Sequence, residues 1–211
     1  VYDSCQAIIG NSIDEVDRNV ISGNDGDGIL ITGSAPLACW PAYTLVLENY
    51  IGVGSGLGPL GNGGHGVNVQ GIEGVNIGNG EFYGLHAVIA HNGGTGVLVG
   101  PEARRVALRR VHIYENGGMS IDLSEHPTGP DGPTPNDPGD ADDGANKLQN
   151  HPILVEAILD PPGLALTVSG VLDTVENLYI IEVWASPECS DDGGAQGTLH
   201  LGKFDVWTDT D

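Results

Sequence analysis

Asn62-Gly63-Gly64-His65-Gly66-Val67-Asn68-Val69 is the stretch on which the fold turns. It aligns without gaps to Asn24-Asp25-Gly26-Asp27-Gly28-Ile29-Leu30-Ile31, to Asn92-Gly93-Gly94-Thr95-Gly96-Val97-Leu98-Val99 and to Asn116-Gly117-Gly118-Met119-Ser120-Ile121-Asp122-Leu123. Each copy reads as a turn followed by an apolar–x–apolar strand, and strand alternation sends the two apolar residues to one face. Asn and Gly reach left-handed backbone conformations cheaply, so the Asn-Gly-Gly turn is expected to bend the chain there. A single repeat cannot bury its own inner face, whereas stacked repeats share one aliphatic column.

Outward from these segments, short strands precede three of the copies, at Val20-Ile21, Val88-Ile89 and Val111-His112-Ile113, and a further one stands at Val75-Asn76-Ile77. The aligned asparagines are 38, 30 and 24 residues apart, which leaves room for insertions in the earlier repeats. The pattern predicts an all-β chain: a right-handed parallel β-helix of about five coils over residues 1–125. Asn24, Asn62, Asn92 and Asn116 are read as structural turns whose amides ladder from coil to coil.

A break in composition follows. Seven acidic residues lie between Asp122 and Asp143, with prolines at 127, 130, 133, 135 and 138, so residues 126–152 form a junction that is neither helix nor central strand. Beyond it, runs at Ile153–Ile158, Leu164–Leu172, Leu178–Trp184 and Leu199–Trp207 predict a small antiparallel β-sandwich-like module over residues 153–211.

Charge bounds the partners. The formal net charge is −22, opposed only by Arg18, Arg104, Arg105, Arg109, Arg110, Lys147 and Lys203. Nucleic acid is excluded as a partner, because phosphate binding needs a basic surface. Such an acidic surface suits either salt adaptation or specific divalent-cation sites. The densest acids are Asp137, Asp140, Asp142 and Asp143, and with Asn146 they give the alternating pattern Asp140-x-Asp142-x-Gly144-x-Asn146. Calcium takes six to eight oxygen ligands from such groups, so these five residues are the candidate metal ligands and calcium the candidate cofactor. The alternative is a solvated acidic linker.

Cys5, Cys39 and Cys189 are the three cysteines. A Cys5–Cys39 disulfide requires the two to fall on neighbouring coils. No apolar run is long enough to span a bilayer, so membrane insertion is not expected. With no initiator Met and no signal peptide, the chain reads as a processed product or a fragment.

The repeats resemble those of secreted bacterial right-handed β-helix repeat proteins. The resemblance is closest over His112–Leu123, Thr134–Gly144, Leu148–Pro152 and Ala185–Cys189. It implies a β-helix, an acidic junction and a C-terminal sandwich in an extracellular or cell-surface protein. The expected role is structural, adhesive or fibre-forming by self-association or within a surface matrix. The alternative is a polysaccharide lyase or hydrolase, or a carbohydrate-binding module, on the same fold. The chemistry favours the first. Arg104, Arg105, Arg109 and Arg110 lack the lyase Arg-x-Pro-x-x-Arg pattern, and Gly64-His65-Gly66 stands in a variable slot of the repeat. No His-x-x-x-His pair and no Gly-x-Ser-x-Gly elbow is present. No catalytic residue is assigned.

Overall fold

The computed structural model describes residues 6–10, 18–33, 43–78, 87–126, 129–161, 163, 165–187 and 196–208. The expected Cys5–Cys39 pair lies outside them, as does Cys189. The first twelve strands come in laps of three. They are β1 (Gln6–Gly10), β2 (Val20–Ile21) and β3 (Ile29–Thr32); β4 (Tyr43–Leu47), β5 (Tyr50–Ile51) and β6 (Val67–Gln70); β7 (Glu73–Gly78), β8 (Ala87–Ala90) and β9 (Val97–Val99); β10 (Arg104–Arg109), β11 (Val111–Tyr114) and β12 (Ile121–Leu123). Each strand pairs in parallel with the one three places on, which gives three four-stranded sheets, β1-β4-β7-β10, β2-β5-β8-β11 and β3-β6-β9-β12. The architecture is all-β and β-helix-like, with four laps among the described residues where about five coils were expected.

Register shows why the repeats align. Ile29, Val67, Val97 and Ile121 stand side by side across one sheet, as do Ile31, Val69, Val99 and Leu123. Ile51, Ile89 and Ile113 do the same in a second sheet. Ile31, Val67, Val69, Val97, Val99 and Ile89 are all 0% exposed. Each such aliphatic side chain contributes roughly 1.5–3 kcal/mol on burial, so the column dominates the stability of this part of the chain.

The asparagine ladder is present and continuous. Asn24 Nδ2 donates to Asn62 Oδ1 at 2.7 Å, Asn62 Nδ2 to Asn92 Oδ1 at 2.8 Å, and Asn92 Nδ2 to Asn116 Oδ1 at 2.9 Å. The same oxygens also accept the backbone N–H of the preceding asparagine. One expectation is corrected: the left-handed residue is not in the Asn-Gly-Gly turn but, in three of the four copies, just before it. Gly23, His91 and Glu115 carry φ of 72°, 60° and 50°. The glycines after the asparagine serve close approach instead. A Cβ on Gly63, Gly93 or Gly117 would lie 2.3, 2.5 or 2.3 Å from the backbone oxygen of the previous lap.

The remaining strands make two separate antiparallel pairs, β13 (Ile153–Leu159) with β14 (Leu166–Val171) and β15 (Leu178–Ala185) with β16 (Leu199–Trp207). Antiparallel pairing was expected, but a closed sandwich core is not seen among the described residues. Leu154, Val155 and Trp207 are 68%, 70% and 74% exposed. Two strands give a sheet only one neighbour, and one pair alone cannot cover both faces of the other. No helix among the described residues is long and apolar enough to cross a membrane.

The end of the fourth lap is closed in part by residues from the junction and the last hairpin. Ala145 and Leu148, in a short 3-10 turn, plug the core at 0% and 3% exposure. Asn146 Oδ1 accepts the Val106 N–H at 2.9 Å and its Nδ2 donates to Val106 O at 3.2 Å, so one side chain stands in for a strand beside β10. Gly197 exchanges both backbone hydrogen bonds with Ile113 of β11. Against the same strand, His112 Nδ1 lies 2.8 Å from Thr198 O, and Trp184 packs edge-on against both His112 and His200.

Burial first, with His200 adding to it, lowers the His112 pKa below the ordinary imidazole range; the Thr198 carbonyl opposes the shift. The folded state therefore binds fewer protons here than the unfolded chain. Its stabilisation is complete above the ordinary imidazole pKa and declines as pH falls through that range toward the lowered folded-state value. Melting temperature measured from about pH 7 to pH 5 is expected to fall more steeply for the native chain than for His112→Asn. Parallel curves would refute a role for this imidazole.

Candidate metal centre

The junction folds back on itself so that Asp137, Asp140 and Asp142 each bring one carboxylate oxygen within 4.8 Å of the other two. The three residues are half-buried. Asp140 is held from three sides: Asn150 N–H donates to its Oδ1 at 2.8 Å, and Gln149 Nε2 and Thr174 Oγ1 donate to its Oδ2 at 3.0 and 2.7 Å. Asp137 Oδ2 accepts the Ala141 N–H at 3.0 Å. Two oxygens in the group, Asp137 Oδ1 and Asp142 Oδ1, are shielded from solvent and have no hydrogen-bond partner.

The electrostatics match that geometry. The Asp142 carboxyl is pushed above the usual range, first by desolvation and then by the charges of Asp137, Asp140 and Glu125; a backbone hydrogen bond opposes this. Carboxylates gathered this closely repel one another unless a proton or a cation stands between them. Three Asp in this arrangement could hold a metal ion.

The other two expected ligands are used elsewhere. Asp143 pairs with Arg104 at 3.0 Å, and Asn146 is spent on Val106. Sequence reading missed the residue that organises the centre. Asn150 is 4% exposed; its Oδ1 accepts the Asp137 N–H, and its Nδ2 donates to Asp137 O and Asp173 O at 2.7 Å each. Thr174, between β14 and β15, was missed too; its Oγ1 also lies 2.8 Å from Tyr179 Oη. Thr174 acts on an acid 34 residues away and Asn150 on acids 10 and 13 residues away, beyond the reach of a local pattern. The centre therefore links the junction to the C-terminal hairpins, while Asp143 and Asn146 tie the same junction to β10.

His65 and Arg105, outside this centre, have structural partners. His65 Nδ1 accepts the Thr95 N–H at 3.0 Å, and Asp27 Oδ1 accepts the His65 N–H at 2.8 Å, which makes a second ladder beside the first. Arg105 pairs with Glu73 at 3.0 Å. Asp122, 2% exposed on β12, accepts the Gly132 N–H on Oδ2 and has no partner on Oδ1. Its pKa is raised chiefly by burial and further by Asp131, against the Gly132 hydrogen bond. Comparison with models of protein families, with curated proteins and with solved structures finds no match to this chain.

Proposed function

We propose that the chain is a structural right-handed parallel β-helix of an extracellular or cell-surface protein, with calcium bound at the acidic junction. Its role is to present a rigid rod in a surface matrix or fibre, by self-association or adhesion. The observation that carries this reading is the convergence of Asp137, Asp140 and Asp142 with two shielded, unpartnered oxygens. An all-oxygen, carboxylate donor set suits calcium better than the softer metals that prefer nitrogen or sulfur. The supporting observations are a continuous aliphatic column, two side-chain ladders, and Arg104, Arg105 and His65 engaged in structure.

In this reading the ion fixes the junction. Asp140 and Asp137 hold Asn150, which reaches Asp173, so neutralising the carboxylates would stiffen the path from the fourth lap to β15. Calcium is expected to raise the melting temperature, since saturation at 100 times the dissociation constant adds about 2.7 kcal/mol. Asp142→Asn is the discriminating variant. It removes a repelling charge whose Oδ1 has no protein partner, so it is expected to melt higher than the native chain in chelator and to respond less to calcium. Calorimetry of both proteins with calcium and with chelator tests this, and identical native melting temperatures in the two buffers reject the calcium centre.

A further inference from the structure

The fourth lap has three outer sheet edges, and they are not treated alike. Asn146 covers β10 and Gly197 covers β11, whereas among the described residues no strand lies beyond β12 in its sheet. Val97 N–H donates to Ser120 O and Ser124 N–H to Val99 O, so Ser120, Asp122 and Ser124 turn their backbones toward β9. Alternation leaves the N–H and C=O of Ile121 and Leu123 on the open side. Of these, the Leu123 carbonyl takes a 3.3 Å bond from Thr134 Oγ1; the other three have no hydrogen-bond partner among the described residues.

Two clefts run along this strand, one of about 500 Å³ toward Thr134 and Gln149 and one of about 320 Å³ toward Leu154 and Ile181, and both are lined by Ile121. The core column, plugged by Ala145 and Leu148, is left uncovered at Ile121. Ile121 is 41% exposed, although its register mates Val97 and Val67 are fully buried. On the opposite face Asp122 lines the larger cleft, its Oδ1 shielded from solvent and without a hydrogen-bond partner.

The geometry points to β12 as an acceptor edge for an extended segment of another protein with the alternation apolar–basic–apolar, which would add a fifth strand to this sheet. Its two apolar residues continue the columns that end at Ile121 and Leu123. Its basic residue falls on the outer face beside Asp122, where its charge offsets that of the Asp122 and Asp131 carboxyls. The net charge of −22 favours the same partner over a second copy at this edge. Backbone pairing supplies affinity and the alternating side chains supply selection, as in other strand additions.

The test uses a fluorescent capped heptapeptide with a central valine–lysine–valine between serine and glycine flanks, and a twin with glutamate for lysine. Anisotropy is expected to show saturable binding of the lysine peptide and roughly tenfold or weaker binding of the glutamate peptide. Asp122→Asn should retain binding but erase that preference. Ile121→Pro removes an edge N–H that β9 does not use, and should abolish binding of both peptides. Amide exchange in the native chain gives an independent readout, with the lysine peptide slowing exchange at Ile121 and Leu123 and not at Asn68. Absence of saturable binding at millimolar peptide, unchanged binding by Ile121→Pro, or unaltered exchange at Ile121 overturns the proposal. So does a concentration-dependent dimer that Ile121→Pro dissolves, because the edge would then belong to a second copy.

Discussion

Asn92→Ala is expected to destabilise the protein by about 3–5 kcal/mol, because burial leaves its former partners without substitutes. Asn92 is 1% exposed. Its Oδ1 accepts two N–H groups of Asn62, and its Nδ2 donates to Asn116 Oδ1 and to the Ala90 carbonyl at 2.9 and 3.2 Å. Alanine orphans both ends of the ladder at once and opens a small void. Asn24→Ala makes the same chemical change at the exposed end, where water replaces what is lost, and is expected to cost about 1 kcal/mol. Urea unfolding with a common m-value measures both. Equal costs at the two positions would mean that the ladder does not act as a buried unit.

Gly66→Ala is expected to cost more than about 3 kcal/mol, at the upper end of overpacking, because what a methyl group meets here cannot readily give way. The new Cβ would lie 2.3 Å from Ile89 Cγ2, 2.6 Å from Gly96 O and 2.9 Å from Asn92 Nδ2. The first contact is core and the second is the backbone of the next lap, so relief requires the laps to part. Gly56→Ala is the control, since a Cβ there meets nothing within 4 Å. It should be neutral or stabilising by up to about 1 kcal/mol through a less flexible unfolded chain. Because Gly66 presses on the Asn92 amide, the Gly66→Ala/Asn92→Ala double variant should lose less than the two single losses combined. Full additivity would place the two effects in separate parts of the structure.

The parallel laps were legible because their evidence is periodic. Ile29, Val67, Val97 and Ile121 occupy one slot of the repeat and one row of the sheet. The asparagines were legible for the same reason. The left-handed turn residue was not, because Gly23, His91 and Glu115 share a backbone conformation and no side-chain chemistry. At the junction, the acids Asp137, Asp140, Asp142 and Asp143 look equivalent along the chain, yet Arg104 draws Asp143 aside and Val106 takes Asn146. Asn150 stood out only as part of the resembling stretch Leu148–Pro152 and Thr174 not at all; their roles come from contacts that form only on folding. Asp122 occupies a solvent-side slot of the repeat, and its burial follows from Gly132 and its neighbours folding across it.

The sequence alone determined which residues face inward and which turns repeat, since alternation along a strand and recurrence along the chain are local properties carried by every copy. Tertiary structure alone decided which carboxylates meet, which amide closes a sheet edge and which edge is left open. Those outcomes depend on distances between residues far apart in the chain, and the energies involved change steeply over a few ångströms.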